Sequence, residues 1–137
     1  MTKKIAGALA MIFAAAAGQA APLSPTDIVN RHVSSGGNVD AIMADYADDA
    51  VVLQAGKTFQ GKAAIRPLFE RMFAGHAPGA KPFGGMKVTR VWQEGNVGLL
   101  TWQAGPMNAT EEFLVQDGKI KVQAIFMSHA PDAAAPR

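Results

Sequence analysis

The chain contains no cysteine. Disulfides, thiolate nucleophiles, zinc–thiolate sites and iron–sulfur clusters are therefore all excluded, and a domain without cross-links must be held by its core alone. The three histidines, His32, His76 and His129, are never spaced as His-x-x-x-His, and no acidic run has the central glycine and terminal glutamate of a calcium loop. No metal site is expected. Gly56-Lys57-Thr58 copies the end of a phosphate-binding loop, but Val51 stands where its first glycine is required, so no cofactor is expected either. Beyond residue 20 no apolar run is long enough to span a bilayer. Internal repeats and a domain boundary are also missing.

The first 20 residues have their own logic. Lys3 and Lys4 are followed by an apolar, alanine-rich run from Ile5 to Ala17, and Gly18-Gln19-Ala20 supplies the small residues of a cleavage site. This is the layout of a secretory signal peptide, too short and wrongly flanked for a membrane anchor. Cleavage after Ala20 leaves 117 of the 137 residues, and the product is expected to be secreted or periplasmic and free of the membrane. Loss of Lys3 and Lys4 reduces the 13 basic residues to 11, equal to the 11 acidic ones. A neutral chain lacks the basic surface that nucleic acid requires.

The mature segment reads as one domain over 21–130 with a flexible tail over 131–137. Ser24-Pro25-Thr26-Asp27 is a capping box with proline at the first helical position, and Gly36-Gly37 ends that helix. Asn38 caps a second helix, in which Val39, Ile42, Met43, Tyr46 and Ala47 fall on one stripe. A short hairpin follows, with strands over Ala50–Gln54 and Thr58–Gln60. Gly61 opens a third helix, and a loop rich in glycine and proline covers Gly75–Gly85. Strands are predicted over Met86–Gln93, Val97–Ala104, Ala109–Gln116 and Ile120–Ser128, with turn signals at Glu94-Gly95-Asn96 and Asp117-Gly118. Helices first and strands later give an α+β class. A curved antiparallel sheet wrapped around three N-terminal helices leaves a cone whose interior is a natural pocket.

The run "DYADDAVV" at 45–52 has three carboxylates in five positions. The structural reading is preferred over a metal or acid/base cluster: Tyr46 in the core, Asp45 facing water, Asp48 and Asp49 at a helix–strand junction bonding nearby backbone. The same stretch carries a resemblance. The helix "DAIMADYADDAV", the short hairpin and "F-x-G-K-x-A-I-R" at the third helix resemble the SnoaL-like and ketosteroid isomerase-like branch of the nuclear transport factor 2-like superfamily, with its cystatin-like cone. The likeness runs from about Thr26 to about His129.

That resemblance implies a fold more firmly than a function, because the superfamily hosts isomerases, dehydratases, cyclases, epoxide hydrolases, carriers and association domains. It places Gln54 where the isomerases have their aspartate base, His32 where they have an oxyanion-binding tyrosine, and Glu111 where they have a protonated aspartate. A glutamine amide cannot take a proton from carbon. Glu111 shares strand parity with Phe113 and Val115, so it should point with them, and with His32 it can form an acid/base couple. Tyr46, Arg90, Trp102, Phe126, Met107 and Met127 are further candidates for lining the pocket. Three functions are held open: a binding protein for a small, mostly apolar molecule; an isomerase-, dehydratase- or hydrolase-type enzyme using His32 and Glu111; and an interaction module. Domains resembling this family often pair through the sheet, so a homodimer is expected.

Overall fold

The computed structural model describes residues 20–75 and 85–129. The expected leader up to Gln19, most of the expected loop over Gly75–Gly85 with His76, and the expected tail fall outside them. Helix α1 (Pro25–Ser34) begins at the expected capping box: Asp27 N–H donates to Ser24 Oγ at 3.2 Å, and Ser24 N–H returns a bond to the Asp27 carboxylate at 3.3 Å. Helix α2 (Val39–Ala44) is capped by Asn38, whose side chain accepts from Ala41 N–H at 3.0 Å. Strands β1 (Tyr46–Gln54) and β2 (Lys57–Gln60) form the hairpin, and α3 (Lys62–Phe73) follows. The meander is β3 (Lys87–Glu94), β4 (Val97–Ala104), β5 (Met107–Gln116) and β6 (Lys119–His129).

Among the described residues six strands join one open sheet in the order β2-β1-β6-β5-β4-β3. The pairings are antiparallel except for β1 with β6, which run parallel and join the N-terminal hairpin to the end of the meander. The helices lie on one face, and the core forms where Ile28 and Val29 of α1, Ile42 and Met43 of α2, and Ile65 and Phe69 of α3 meet Leu100, Trp102, Phe113 and Ile120 of the sheet. Gly98 sets how closely α1 can approach. A Cβ there would lie 2.7 Å from Val29 Cγ2 and 3.0 Å from the Pro25 carbonyl oxygen. Among the described residues no helix is long and apolar enough to cross a membrane.

Three local expectations change. Helix α2 stops at Ala44, and Tyr46 opens β1 instead of completing a helical stripe. Asp45 does not face water. It is 1% exposed, because the helical period no longer sets its direction and Arg31 of α1 covers it, with Nε donating to Oδ1 at 2.6 Å. Asp48 and Asp49 lie within β1, exposed, each facing a lysine: Lys62 at 3.0 Å from Asp48, and Lys121 bonded to Asp49. The Lys121 ammonium beside Asp49 lowers the pKa of that carboxyl.

Candidate functional site

The site follows from strand register. Gln54 pairs with Ile125, Ile125 with Glu111, and Glu111 with Leu100, so four strands contribute one row to the inner face. Side chains alternate across a strand. The neighbouring rows therefore place Gln123 and Trp102 inward as well, diagonal to Glu111, at a spacing that long side chains can bridge. They do so. Trp102 Nε1–H donates to Glu111 Oε1 at 2.6 Å, and Gln123 Nε2–H donates to Glu111 Oε2 at 2.7 Å. The Gln123 carbonyl oxygen in turn accepts from the Tyr46 hydroxyl. Every hydrogen in this buried chain points towards the carboxylate. Burial, and then the carboxylates of Glu111 and Asp45, push the Tyr46 pKa well above its ordinary value, which keeps the phenol a donor.

His32 reaches the same region from α1. Its ring packs edge-on against Tyr46, Phe69 and Phe113, with centroids 5.4 to 5.7 Å apart. Its Nδ1 lies 3.8 Å from Asp45 Oδ2, and both atoms are buried with no hydrogen-bond partner. Asp45, fixed by Arg31, thus lies beside the Nδ1 edge of the imidazole without bonding to it.

These groups border a cavity of about 70 Å³ between helices and sheet. Its polar lining is His32, Gln54, Glu111, Trp102 and Gln123, and Phe69, Phe73, Met72, Met86 and Leu100 supply much of the apolar wall. An engineered apolar cavity of about 150 Å³ holds benzene. A space half that size takes a small molecule, and larger ones only if the unbranched methionine side chains move.

The chain matches the model of the SnoaL-like domain over residues 29–123. It belongs to the SnoaL-like domain family. Solved structures agree on the fold. A proposed ketosteroid isomerase from Kribbella flavida is 16% identical, with 82% of this chain and 84% of that one covered and a TM-score of 0.62. A proposed polyketide cyclase from Sinorhizobium meliloti is 23% identical over 73% of this chain and 94% of that one, with a TM-score of 0.60. An epoxide hydrolase from M. tuberculosis is 20% identical over 76% and 82%, with a TM-score of 0.57. No curated protein matches the chain.

Within this SnoaL-like domain the predicted site residues divide. His32, Gln54, Trp102 and Glu111 meet at the cavity, joined by Met127. Tyr46 sits behind its wall, touching it through Gln123. Arg90 and Phe126 lie elsewhere. A bulge between Val88 and Arg90 shifts the parity of β3, so Val88 and Val91 face the core while Arg90 stays on the outer face, its guanidinium 4.3 Å from the Trp92 ring centroid. Phe126 pairs with Thr110 on the outer face and is 58% exposed. Met107 packs partly buried against the core. His129 ends β6, exposed. Two contributors were not expected from the sequence, Gln123 and Asp45. The first left a signal: a glutamine inside the apolar run "VQAIFM" has to find a partner. The second left none, since its burial depends on where α2 ends.

Proposed function

We propose that the protein binds a small, mostly apolar molecule in this cavity. The apolar body would rest against Phe69, Phe73, Met72 and Met86, with a polar group turned towards Glu111 and His32. The observation that carries this reading is the asymmetry of the cavity: apolar walls around one polar end whose hydrogen bonds are already organised. The signal-peptide layout of the first 20 residues supports an exported protein. Native mass spectrometry of the periplasmic fraction tests the proposal. The expected result is a mass excess that disappears on denaturation. A bare chain mass that no small apolar compound changes would overturn it.

A second reading, an isomerase-, dehydratase- or hydrolase-type enzyme, is favoured by the Asp45–His32 pairing. His32 Nδ1 and Asp45 Oδ2 are 3.8 Å apart and unbonded; were they to close to hydrogen-bond distance, the carboxylate would support an imidazole that moves a proton at Nε2. Gln54 occupies the base position of the ketosteroid isomerases and cannot serve as one, so the proton would pass through His32. Turnover of a bound compound that His32→Ala abolishes without loss of binding would establish it; binding without turnover would leave the carrier reading. Leu53 and Phe126, both on the outer sheet face and each at least 40% exposed, support pairing of two copies, which sedimentation of the purified domain checks.

A further inference from the structure

Glu111 is 8% exposed and accepts hydrogen bonds on both oxygens from neutral donors, an indole and an amide. The ion pairs among the described residues use Asp45, Asp48, Asp40, Glu70 and Asp49; Glu111 takes part in none of them. His32 lines the same cavity, but its Nδ1 is turned to Asp45. A buried carboxylate without a counter-charge is costly, and hydrogen bonds from neutral groups offset only part of that cost. Removing a cationic partner from such a carboxylate is unfavourable; supplying one is correspondingly favourable.

The remaining chemistry points the same way. Trp102 and Gln123 each donate one hydrogen to Glu111, and Tyr46 donates to Gln123 behind it, so what the carboxylate presents to the cavity is spare acceptor capacity. An acceptor-only head, such as a ketone or an ester, finds no donor at Glu111 and would have to turn to the neutral amide of Gln54. An anionic head meets like charge at close range. An ammonium head meets the missing counter-charge, with aromatic faces and polarisable methionine sulfur around its hydrocarbon part. Fixed donors hold the carboxylate rigid, so little ordering remains to be done on binding.

We infer that the cavity selects small aliphatic amines in their protonated form, with the ammonium group on Glu111. The inference rests on the cavity being the binding site and adds the chemical class of the ligand's head.

The test uses one ethyl body, small enough for the cavity, with four heads: propylamine, propanol, butanone and propionate, titrated at pH 7 into the mature domain. The readout is the Trp102 indole N–H resonance, whose hydrogen lies on Glu111; Trp92→Phe assigns it. The amine is expected to bind at least about tenfold tighter than the alcohol, as a charge-assisted bond replaces a neutral one, and propionate is expected to give no saturable shift. Glu111→Gln should bring the amine down to the affinity of the alcohol, while the melting temperature and circular dichroism of the variant report its folding. Equal binding of amine and alcohol, or preference for the ketone or the acid, would overturn the head-group inference and leave the pocket reading intact. Absence of a saturable shift with all four would overturn both. The wild-type series decides the matter even if the variant fails to fold.

Discussion

Tyr46→Phe removes a single oxygen, and its effect can be worked from the hydrogen-bond chain. The lost hydroxyl donates to the Gln123 carbonyl oxygen, on a side chain that is 1% exposed. The net value of such a bond is about 1 kcal/mol, and leaving its buried acceptor unpaired costs about 1–3 kcal/mol. The expected loss is therefore about 1–3 kcal/mol at neutral pH, or roughly 3–12 °C in melting temperature for a domain of this size. The pH dependence is more diagnostic. An unfolded tyrosine ionises near pH 10, whereas burial holds Tyr46 protonated to higher pH in the native protein. Above pH 10 the native state thus keeps a proton that the unfolded state has released, and stability falls as pH rises. Phenylalanine lacks that term, so the gap between wild type and variant should narrow from pH 10 upwards. Urea unfolding of both proteins at pH 7, 9, 10 and 10.5 measures it. A variant as stable as wild type at pH 7, or a gap that stays constant across pH 10, would refute the assigned role of the hydroxyl.

Gly98→Ala should destabilise by about 1–3 kcal/mol, because its methyl group would enter the space held by Val29 and the Pro25 carbonyl; thermal unfolding measures this. Ala55 turns the β1–β2 hairpin at φ 50°, a left-handed conformation that asparagine tolerates better, so Ala55→Asn should raise stability by up to about 1 kcal/mol in the same assay. Arg31→Ala strips the buried Asp45 of its cation and should cost about 1.5–3 kcal/mol, nearer the lower figure because Arg31 itself is exposed, and the His32 ring resonances should shift with it. Asp49→Asn removes the pairing with Lys121. Asp49 has a depressed native pKa, so its contribution is present above the ordinary aspartate range and lost as pH falls through the native value; acid titration of the two proteins should diverge only above that point.

The fold was legible because its signals are local. The capping box at Ser24, the turn residues at Asp117-Gly118 and the alternation in the later strands each act within a few residues, and each appears in place. The convergence of Glu111, Phe113 and Val115 on one face followed from parity alone. Where parity was interrupted the reading failed. The bulge after Val88 turned Arg90 outward, and no composition cue marks it, since Thr89 suits a bulge and a regular strand equally well. Phe126 was misplaced because an aromatic residue in an apolar run looks like core whichever face it occupies. Asp45 needed a tertiary fact, the end of α2 beneath Arg31, that periodicity could not provide. The hydrogen bonds to Glu111 required register across three strands, which one sequence does not print.

The parallel seam has a consequence for how the chain comes to be folded. Strand β1 lies between β2 and β6, and among the described residues β6 is the last element in chain order. Until Lys119–His129 emerges, the hairpin has no sheet to join and the three helices have only part of a surface to cover. The N-terminal half should therefore stay open throughout synthesis and close in one late step, at a rate limited by that long-range pairing. A chain stopped at Gly118 should remain unfolded and protease-sensitive, and adding the last 11-residue strand should convert it to the native state all at once.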